Sequence, residues 1–386
     1  MSGNGGLVQP GRERRFSSLV HVLPALKPFI APEALERERG ERFLLRLGAN
    51  ESAWGCAPAV QAAAAEVIGE ATHYCDPEGI QLRTGIAKQL GCSPENITLG
   101  EGIDGLLGLM VRLFIDPGYH VVTTDGTYPT LLYHCHGFGA KVVAVPYKQR
   151  RPDLGGLLAA ARRSHARLVY LANPDNPSGF VAAPDEVEAL AESLPPKCVL
   201  LLDEAYADFA RPGELPSIDC ASASVVRLRT FSKAHGLAGL RVGFAVAPAA
   251  IGAGLDKIRS HFGVNLPGQR LCEISLGARA FLAGVVSEVE QGRSEYQSLG
   301  AQVGLEPLPS RTNFVTFDAG SVKASIAWVS ALAAEGVFVR RPSAGELATC
   351  IRITVGTAGE RALLRPVLQK IASRMARSEH REIEVS

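Results

Sequence analysis

Short runs of apolar residues, each closed by a polar or glycine turn and most followed by a helical stretch, recur from about residue 95 to 250. "NITLG" (96–100) leads into "IDGLLGLMVRLF" (103–114), and "HVVTTDG" (120–126) leads into "PTLLYHCHGFG" (129–139). "KVVAVPY" (141–147) precedes "DLGGLLAAARRS" (153–164), and "RLVYLANP" (167–174) precedes "PDEVEALAESL" (184–194). "CVLLLDEAY" (198–206), "SVVRLRTFSK" (224–233) and "LRVGFAVAP" (240–248) complete the series. Unbroken Val, Leu and Ile suit strands buried on both faces. Their alternation with helices predicts an α/β fold whose mostly parallel sheet is covered on both sides.

A long helical stretch over about 268–300 then leads into "NFVTFD" (313–318), the helix-like "VKASIAWVSALAAEG" (322–336), "VFVRR" (337–341), "CIRITVG" (350–356) and a last helix over about 358–376. Fewer helices now separate the strands, as in a second, smaller α/β domain. The expected division is a disordered N-terminal tail (1–18), an arm joining the small domain (19–45), a large domain (46–265), a small domain (266–376) and a disordered charged tail (377–386).

Composition narrows the classes of partner. Forty Lys and Arg stand against 39 Asp and Glu, so no long-range field selects nucleic acid or an anionic membrane. The eight cysteines include no C-x-x-C pair and no Cys/His ligand spacing, which argues against zinc and against a disulfide framework and points to the cytoplasm. No signal peptide is read at "MSGNGGLVQPGRERRFSS", and no apolar run is long enough to span a membrane.

"GEGIDG" (100–105) fits G-x-G-x-x-G and is trailed by Asp125 at a strand end, which matches a dinucleotide fingerprint on pattern alone. Its safer content is a glycine turn at a helix N-terminus, a place for a phosphate. In a parallel α/β sheet, ligands sit outside the carboxyl ends of the strands. Three such ends carry polar cargo: Asn173 and Asn176, then Asp203 and Tyr206, then Thr230, Ser232 and Lys233. Asp203 follows four apolar residues, and a carboxylate buried there demands a cation or several donors. Taken alone, Asp203 reads as an ion pair or helix cap and Lys233 as a solvated lysine. Together they call for a cofactor that is cationic on one side and reactive with an amine on the other. Pyridoxal phosphate meets that description, with Arg241 as a further phosphate ligand if Gly236 and Gly239 turn the chain back tightly.

Four stretches carry a resemblance. "NPDNPSG" (173–179), "LLDEAYADF" (201–209), "RTFSKAHGLAGLRVG" (229–243) and "IRITVGT" (351–357) together resemble the fold-type I aminotransferases, most closely the histidinol-phosphate aminotransferase branch, from about Lys27 to the last helix. The resemblance implies a three-layer αβα large domain with a mostly parallel seven-stranded sheet. It implies that Lys233 binds the cofactor as an imine and then shuttles a proton, that Asp203 faces the ring nitrogen, and that Tyr206 and Asn176 bind the 3-oxygen. Tyr128 would stack on the ring. Gly102, Ile103, Asp104, Thr230, Ser232 and Arg241 would hold the phosphate, joined by Tyr74 of a second subunit, which implies a homodimer. Arg352 would grip the substrate carboxylate, with Asn50, Arg340 and Phe29 beside the substrate, an amino donor or a 2-oxo acid such as 2-oxoglutarate.

Departures from the family pattern gather at the substrate. Pro28-Phe29 replaces a proline-tyrosine pair, "NESA" (50–53) replaces N-E-N-P, and Ile103, Glu101 and Gly105 differ in the phosphate loop. Arg340 keeps an arginine position suited to a phosphorylated substrate, and Arg341 adds a second charge. L-Histidinol phosphate is the best single substrate. An aromatic or other amino-acid aminotransferase, a threonine-phosphate decarboxylase, and an amino-acid oxidase or cyclase remain open on the same scaffold. A nicotinamide-dependent dehydrogenase built on "GEGIDG" and Asp125 leaves Lys233, Asp203 and Arg241 without a task, and a non-catalytic binding or regulatory protein of this fold is disfavoured by a chain that is not basic and by the presence of the lysine.

Overall fold

The computed structural model describes residues 16–23, 30–220, 222–342 and 345–384. Strand β1 (Leu45–Arg46) precedes seven strands that form one sheet: β2 (Ile97–Gly100), β3 (His120–Thr124), β4 (Lys141–Val145), β5 (Leu168–Ala172), β6 (Val199–Asp203), β7 (Val225–Thr230) and β8 (Gly243–Val246). Their spatial order is β2-β8-β7-β6-β5-β3-β4. Strand β8 pairs antiparallel with β2 and β7, and the remaining pairs are parallel. The mostly parallel seven-stranded sheet is therefore present.

The central strands show why the sequence had to be apolar without interruption. Leu168 and Tyr170 of β5 and Val199 and Leu201 of β6 pack into one cluster with Leu106, Met110 and Leu131. Val169, Leu171, Leu200 and Leu202 pack into another, with Leu157 and Leu190, on the opposite face. Residues two apart share a face of a strand, so both parities are apolar only where helices cover both sides. Leu200, Leu201 and Leu202 are fully buried, and truncating any of them to Ala would cost about 2–5 kcal/mol. Flanking helices begin where proline fixes the first turn, as at Pro129 and Pro184. Another begins where Asp153 accepts the Gly156 N–H at 2.9 Å.

A smaller antiparallel sheet, ordered β12-β10-β9, comprises β9 (Glu306–Pro307), β10 (Phe314–Asp318) and β12 (Cys350–Thr354). Beside it β1 pairs parallel with β11 (Val337–Phe338). Leu47, Tyr296, Phe317, Trp328, Ile351 and Ile353 share its core. The end of the arm thus joins this unit, and the Leu44 N–H also donates to the Gly336 carbonyl at 2.8 Å. The arm's beginning differs: the short helix Ser18–Val22 packs against helix Pro129–Gly137 of the large sheet.

Two expectations change. The stretch over 268–300 is two helices, Leu266–Gly277 and Arg279–Val303, with Ala278 non-helical at φ −84° and ψ 47°. The first packs on helices Pro58–Gly69 and Ile80–Leu90, the second on the small sheet and the last helix. A change of packing partner leaves the apolar spacing continuous, so periodicity did not mark the break. The last helix runs Ala358–Glu384, past the expected end, because the residues beyond 376 are mostly good helix formers. No helix among the described residues is long and apolar enough to cross a membrane.

Candidate active site

The carboxyl ends of β5, β6 and β7 bring Asn173, Asp203 and Thr230 to one edge, with Asn176, Tyr206, Ser232 and Lys233 just beyond. Asp203 pairs in register with Ala172 and Leu228, so it lies in the middle of the sheet. It is 5% exposed. Its two oxygens accept from the Tyr170 hydroxyl at 2.7 Å and the Ala205 N–H at 3.0 Å. Burial pushes this carboxyl up to about 6, and the two donors pull the other way. Two fixed neutral donors do not offset the burial of the charge, and no cation pairs with it among the described residues.

Across from it, Lys233 Nζ lies 3.2 Å from the Asn50 carbonyl and 5.6 Å from the centre of the Tyr206 ring. The Tyr206 hydroxyl accepts from Asn50 Nδ2 at 2.8 Å. Tyr128 caps helix Pro129–Gly137 and packs against the large core. Burial, then the charge of Asp104, raises its phenol pKa.

The anion end is built by helix Gly102–Phe114, which starts without a side-chain cap and so keeps its first N–H groups available. Gly102 has φ 70°, and a Cβ there would lie 2.4 Å from Arg241 Nη2. Only glycine lets the Arg241 guanidinium come this close to the helix start. Thr230 and Ser232 are buried, with their hydroxyls 2.9 Å apart, and Arg241 also reaches Asp104 at 3.4 Å. The return of the chain works differently from the glycine pair expected. Gly236 is essential, since a Cβ there would lie 1.9 Å from the Gly55 carbonyl oxygen. Gly239 meets nothing, and Arg241 itself takes the left-handed conformation at φ 57°.

Opposite this edge stands the small sheet. Arg352 of β12 donates to Asn176 Oδ1 and to the Gly48 carbonyl, while its buried Nε has no partner among the described residues. Arg340 exchanges backbone hydrogen bonds with Arg352 at 3.2 and 2.7 Å and donates through Nη2 to the Ile30 carbonyl at 2.7 Å. Burial lowers the pKa of both guanidiniums, and at Arg352 the charge of Arg340 adds to the effect. Arg341 instead donates to the Ala348 carbonyl at 3.1 Å. Asn50 is 2% exposed and holds φ 55°. Phe29 lies outside the described residues. Tyr74 is 83% exposed and packs on Phe262, centroids 4.9 Å apart.

Three residues escaped the motif reading. Tyr170 is the only phenol within β5, on the face that Asp203 shares, and that interruption of an aliphatic run was its signal. Thr354 and Asn313, which bind Asn50, had no signal before the two sheets were brought together.

A buried Asp203 with no cation partner among the described residues, a helix start beside Arg241 that a Cβ at Gly102 would crowd, the paired hydroxyls of Thr230 and Ser232 and the Lys233 amine all fit pyridoxal phosphate. The model of the class I and II aminotransferases matches residues 43–371. The chain belongs to that family, the pyridoxal-phosphate-dependent aminotransferases of fold type I. Within it, the chain is 34% identical over 344 residues to histidinol-phosphate aminotransferase 2 of Carboxydothermus hydrogenoformans, covering 87% of this chain and 94% of that protein. The histidinol-phosphate aminotransferase of Sinorhizobium meliloti, solved in complex with pyridoxal-5'-phosphate, superposes with a TM-score of 0.90 at 42% identity, over 94% of this chain and 98% of that one. A Thermus thermophilus aspartate aminotransferase mutant shares the fold, with a TM-score of 0.78 at 22% identity over 94% and 99% of the two chains. "GEGIDG" thus serves an aminotransferase helix start, and the nicotinamide reading falls away.

Proposed function

We propose that this chain transfers the amino group of L-histidinol phosphate to 2-oxoglutarate, with both substrates using the two-arginine face in turn. The observation that carries this reading is the Arg340–Arg352 pair, backbone to backbone, desolvated, with the side chains held by neutral acceptors. Two such guanidiniums suit an anion of more than one charge. Histidinol phosphate has a phosphate ester arm on its amino-bearing carbon, where glutamate has a carboxylate, so one arginine face can orient both.

Bound to Lys233, pyridoxal phosphate supplies an electron sink for the bond broken at the substrate α-carbon. The chain's residues do the rest. Asp203 would hold a proton on the ring nitrogen, an arrangement that would also relieve its own burial. Tyr206 and Asn176 would bind the 3-oxygen. The Lys233 amine would move the proton at the α-carbon. Tyr128 would stack on the ring, and Gly102, Ile103, Asp104, Thr230, Ser232 and Arg241 would hold the phosphate. Arg352 excludes water from the carboxylate or phosphate it binds.

We also assign Tyr74 to the phosphate of a second copy of the chain. Its exposure, shared with Phe262, supports a homodimer with shared sites. All eight cysteines are free, which supports a cytoplasmic setting. The test is glutamate formation from L-histidinol phosphate and 2-oxoglutarate by the loaded enzyme. Phosphothreonine, histidine and aromatic amino acids are compared, with carbon dioxide and peroxide followed separately. Carbon dioxide or peroxide as the stoichiometric product, or a preference for a phosphate-free donor, would overturn the assignment.

A further inference from the structure

Every polar group of Asn50 is occupied, and the small sheet holds most of them. Its N–H donates to Thr354 Oγ1 at 3.1 Å, and the Thr354 hydroxyl donates to Asn50 Oδ1 at 3.0 Å. Its carbonyl accepts from Asn313 Nδ2 at 3.0 Å and from Lys233 Nζ at 3.2 Å. Its Nδ2 donates to the Tyr206 hydroxyl at 2.8 Å. Asn313 and Thr354 meet because Phe314 pairs in register with Thr354, and the Val355 N–H donates to the Asn313 carbonyl at 2.8 Å. Both are almost fully buried.

The direction of these bonds matters. Thr354 has one hydroxyl hydrogen, and Asn50 Oδ1 takes it, while the Thr354 hydroxyl oxygen accepts the Asn50 N–H. An amide offers an acceptor on one side and donors on the other. With Oδ1 fixed on Thr354, Nδ2 must face Tyr206. The Tyr206 oxygen then receives a hydrogen bond, and its own hydrogen is free for a different acceptor. In a left-handed, buried residue such as Asn50, the alternative amide orientation would set Oδ1 against Tyr206, which would draw that hydrogen away.

We propose that Thr354 and Asn313 are positioning residues: Thr354 fixes the Asn50 amide so that the Tyr206 hydroxyl donates toward the cofactor, and Asn313 fixes the Asn50 carbonyl against Lys233. The proposal rests on Tyr206 facing the cofactor's 3-oxygen. The charged and titratable groups around Tyr206 are Lys233 on its own side, Arg352 from the small sheet and Tyr128 from the large one. None of these is altered by removing the Thr354 hydroxyl.

The experiment compares wild type, Thr354→Val, Thr354→Ser and Asn313→Ala, each loaded with pyridoxal phosphate and titrated with pH in the visible without substrate. A hydrogen bond from Tyr206 favours the deprotonated chromophore. Thr354→Val is therefore expected to raise the midpoint by about half a unit to one unit, the size of one hydrogen bond. Thr354→Ser should restore it, and Asn313→Ala should shift it the same way by less. Thermal unfolding of each variant shows which are folded; should the valine variant not fold, the asparagine variant decides. Equal midpoints in wild type and the folded variants, or a serine variant that fails to restore the wild-type value, overturn the positioning role. Loss of glutamate formation in wild type would instead overturn the substrate assignment, and the midpoint comparison would stand apart from it.

Discussion

The two faces of the site are made in different ways. On the large-sheet side, Asp203, Thr230 and the start of helix Gly102–Phe114 are ends of continuous elements whose bodies are buried in the core. Their positions are fixed by the packing that makes the sheet. On the other side, the Gly48–Asn50 segment, Arg340 and Arg352 come from distant parts of the chain and meet each other, and Asn176 of the large-sheet edge, through single hydrogen bonds and a one-pair bridge between Arg340 and Arg352. The contrast teaches that one face is built into the rigid body of the large sheet, while the face proposed for the substrate rests on the contact between two sheets. Such contacts are more easily reset than a core strand, because changing one removes about a hydrogen bond and not a packed side chain.

The largest expected break is on the rigid side. Lys233→Ala should lower turnover of every substrate at least about a thousandfold, measured as glutamate formed, and should abolish borohydride fixation of the cofactor to the chain. Retained turnover would remove Lys233 from its role. Next, Arg352→Gln should lower kcat/KM for histidinol phosphate and glutamate alike by about a hundredfold, while leaving cofactor fixation on Lys233 intact. If cofactor binding fell equally, the two faces would not be separable. Arg340→Gln should cost about tenfold and should penalise histidinol phosphate more than a substrate with a single carboxylate, such as alanine.

A subtler expectation concerns stability. Asp203 has a folded pKa raised above that of an exposed carboxyl, so the folded cofactor-free chain binds a proton that the unfolded chain has released. Its contribution therefore opposes folding above pH 6 and fades as pH falls toward about 4. Cofactor-free Asp203→Asn should be more stable than wild type by about 1–3 kcal/mol at pH 7.5, with the difference gone near pH 4, as read by chemical denaturation. The same variant should bind the cofactor less productively, and turnover should fall. The smallest effect is expected at Tyr74. Tyr74→Phe should weaken cofactor retention only a few fold, the loss of one hydrogen bond, without changing the molecular mass in solution; unchanged retention would remove Tyr74 from the phosphate.

Much of the rigid side was legible from the chain. "LLDEAYADF" and "RTFSKAHGLAGLRVG" are local, and a buried strand with a carboxylate or an amine at its end has few interpretations. Tyr170 was hidden because an aromatic in a strand is ordinarily core, and only its hydroxyl's 2.7 Å approach to Asp203 gives it another role. Gly239 was given a task that the turn assigns to Gly236 and to Arg241's own left-handed backbone. The helix break at Ala278 was invisible because both halves remain amphipathic against different partners.

By itself, the sequence determined the sheet and the cofactor, and it pointed to Lys233 as the proposed imine lysine. These follow from contiguous patterns in which strand, turn and functional residue lie within about ten positions, so local spacing carries the geometry. Only the tertiary structure decided how the face around Asn50 and Arg352 is built. Asn50 and Thr354 are more than three hundred residues apart, yet 3.0 Å separates their side chains. Which way an amide points, which arginine stands without a carboxylate, and whether Tyr206 has a hydrogen to give are properties of that meeting. No local pattern encodes them, because each partner is polar for a reason supplied by the other.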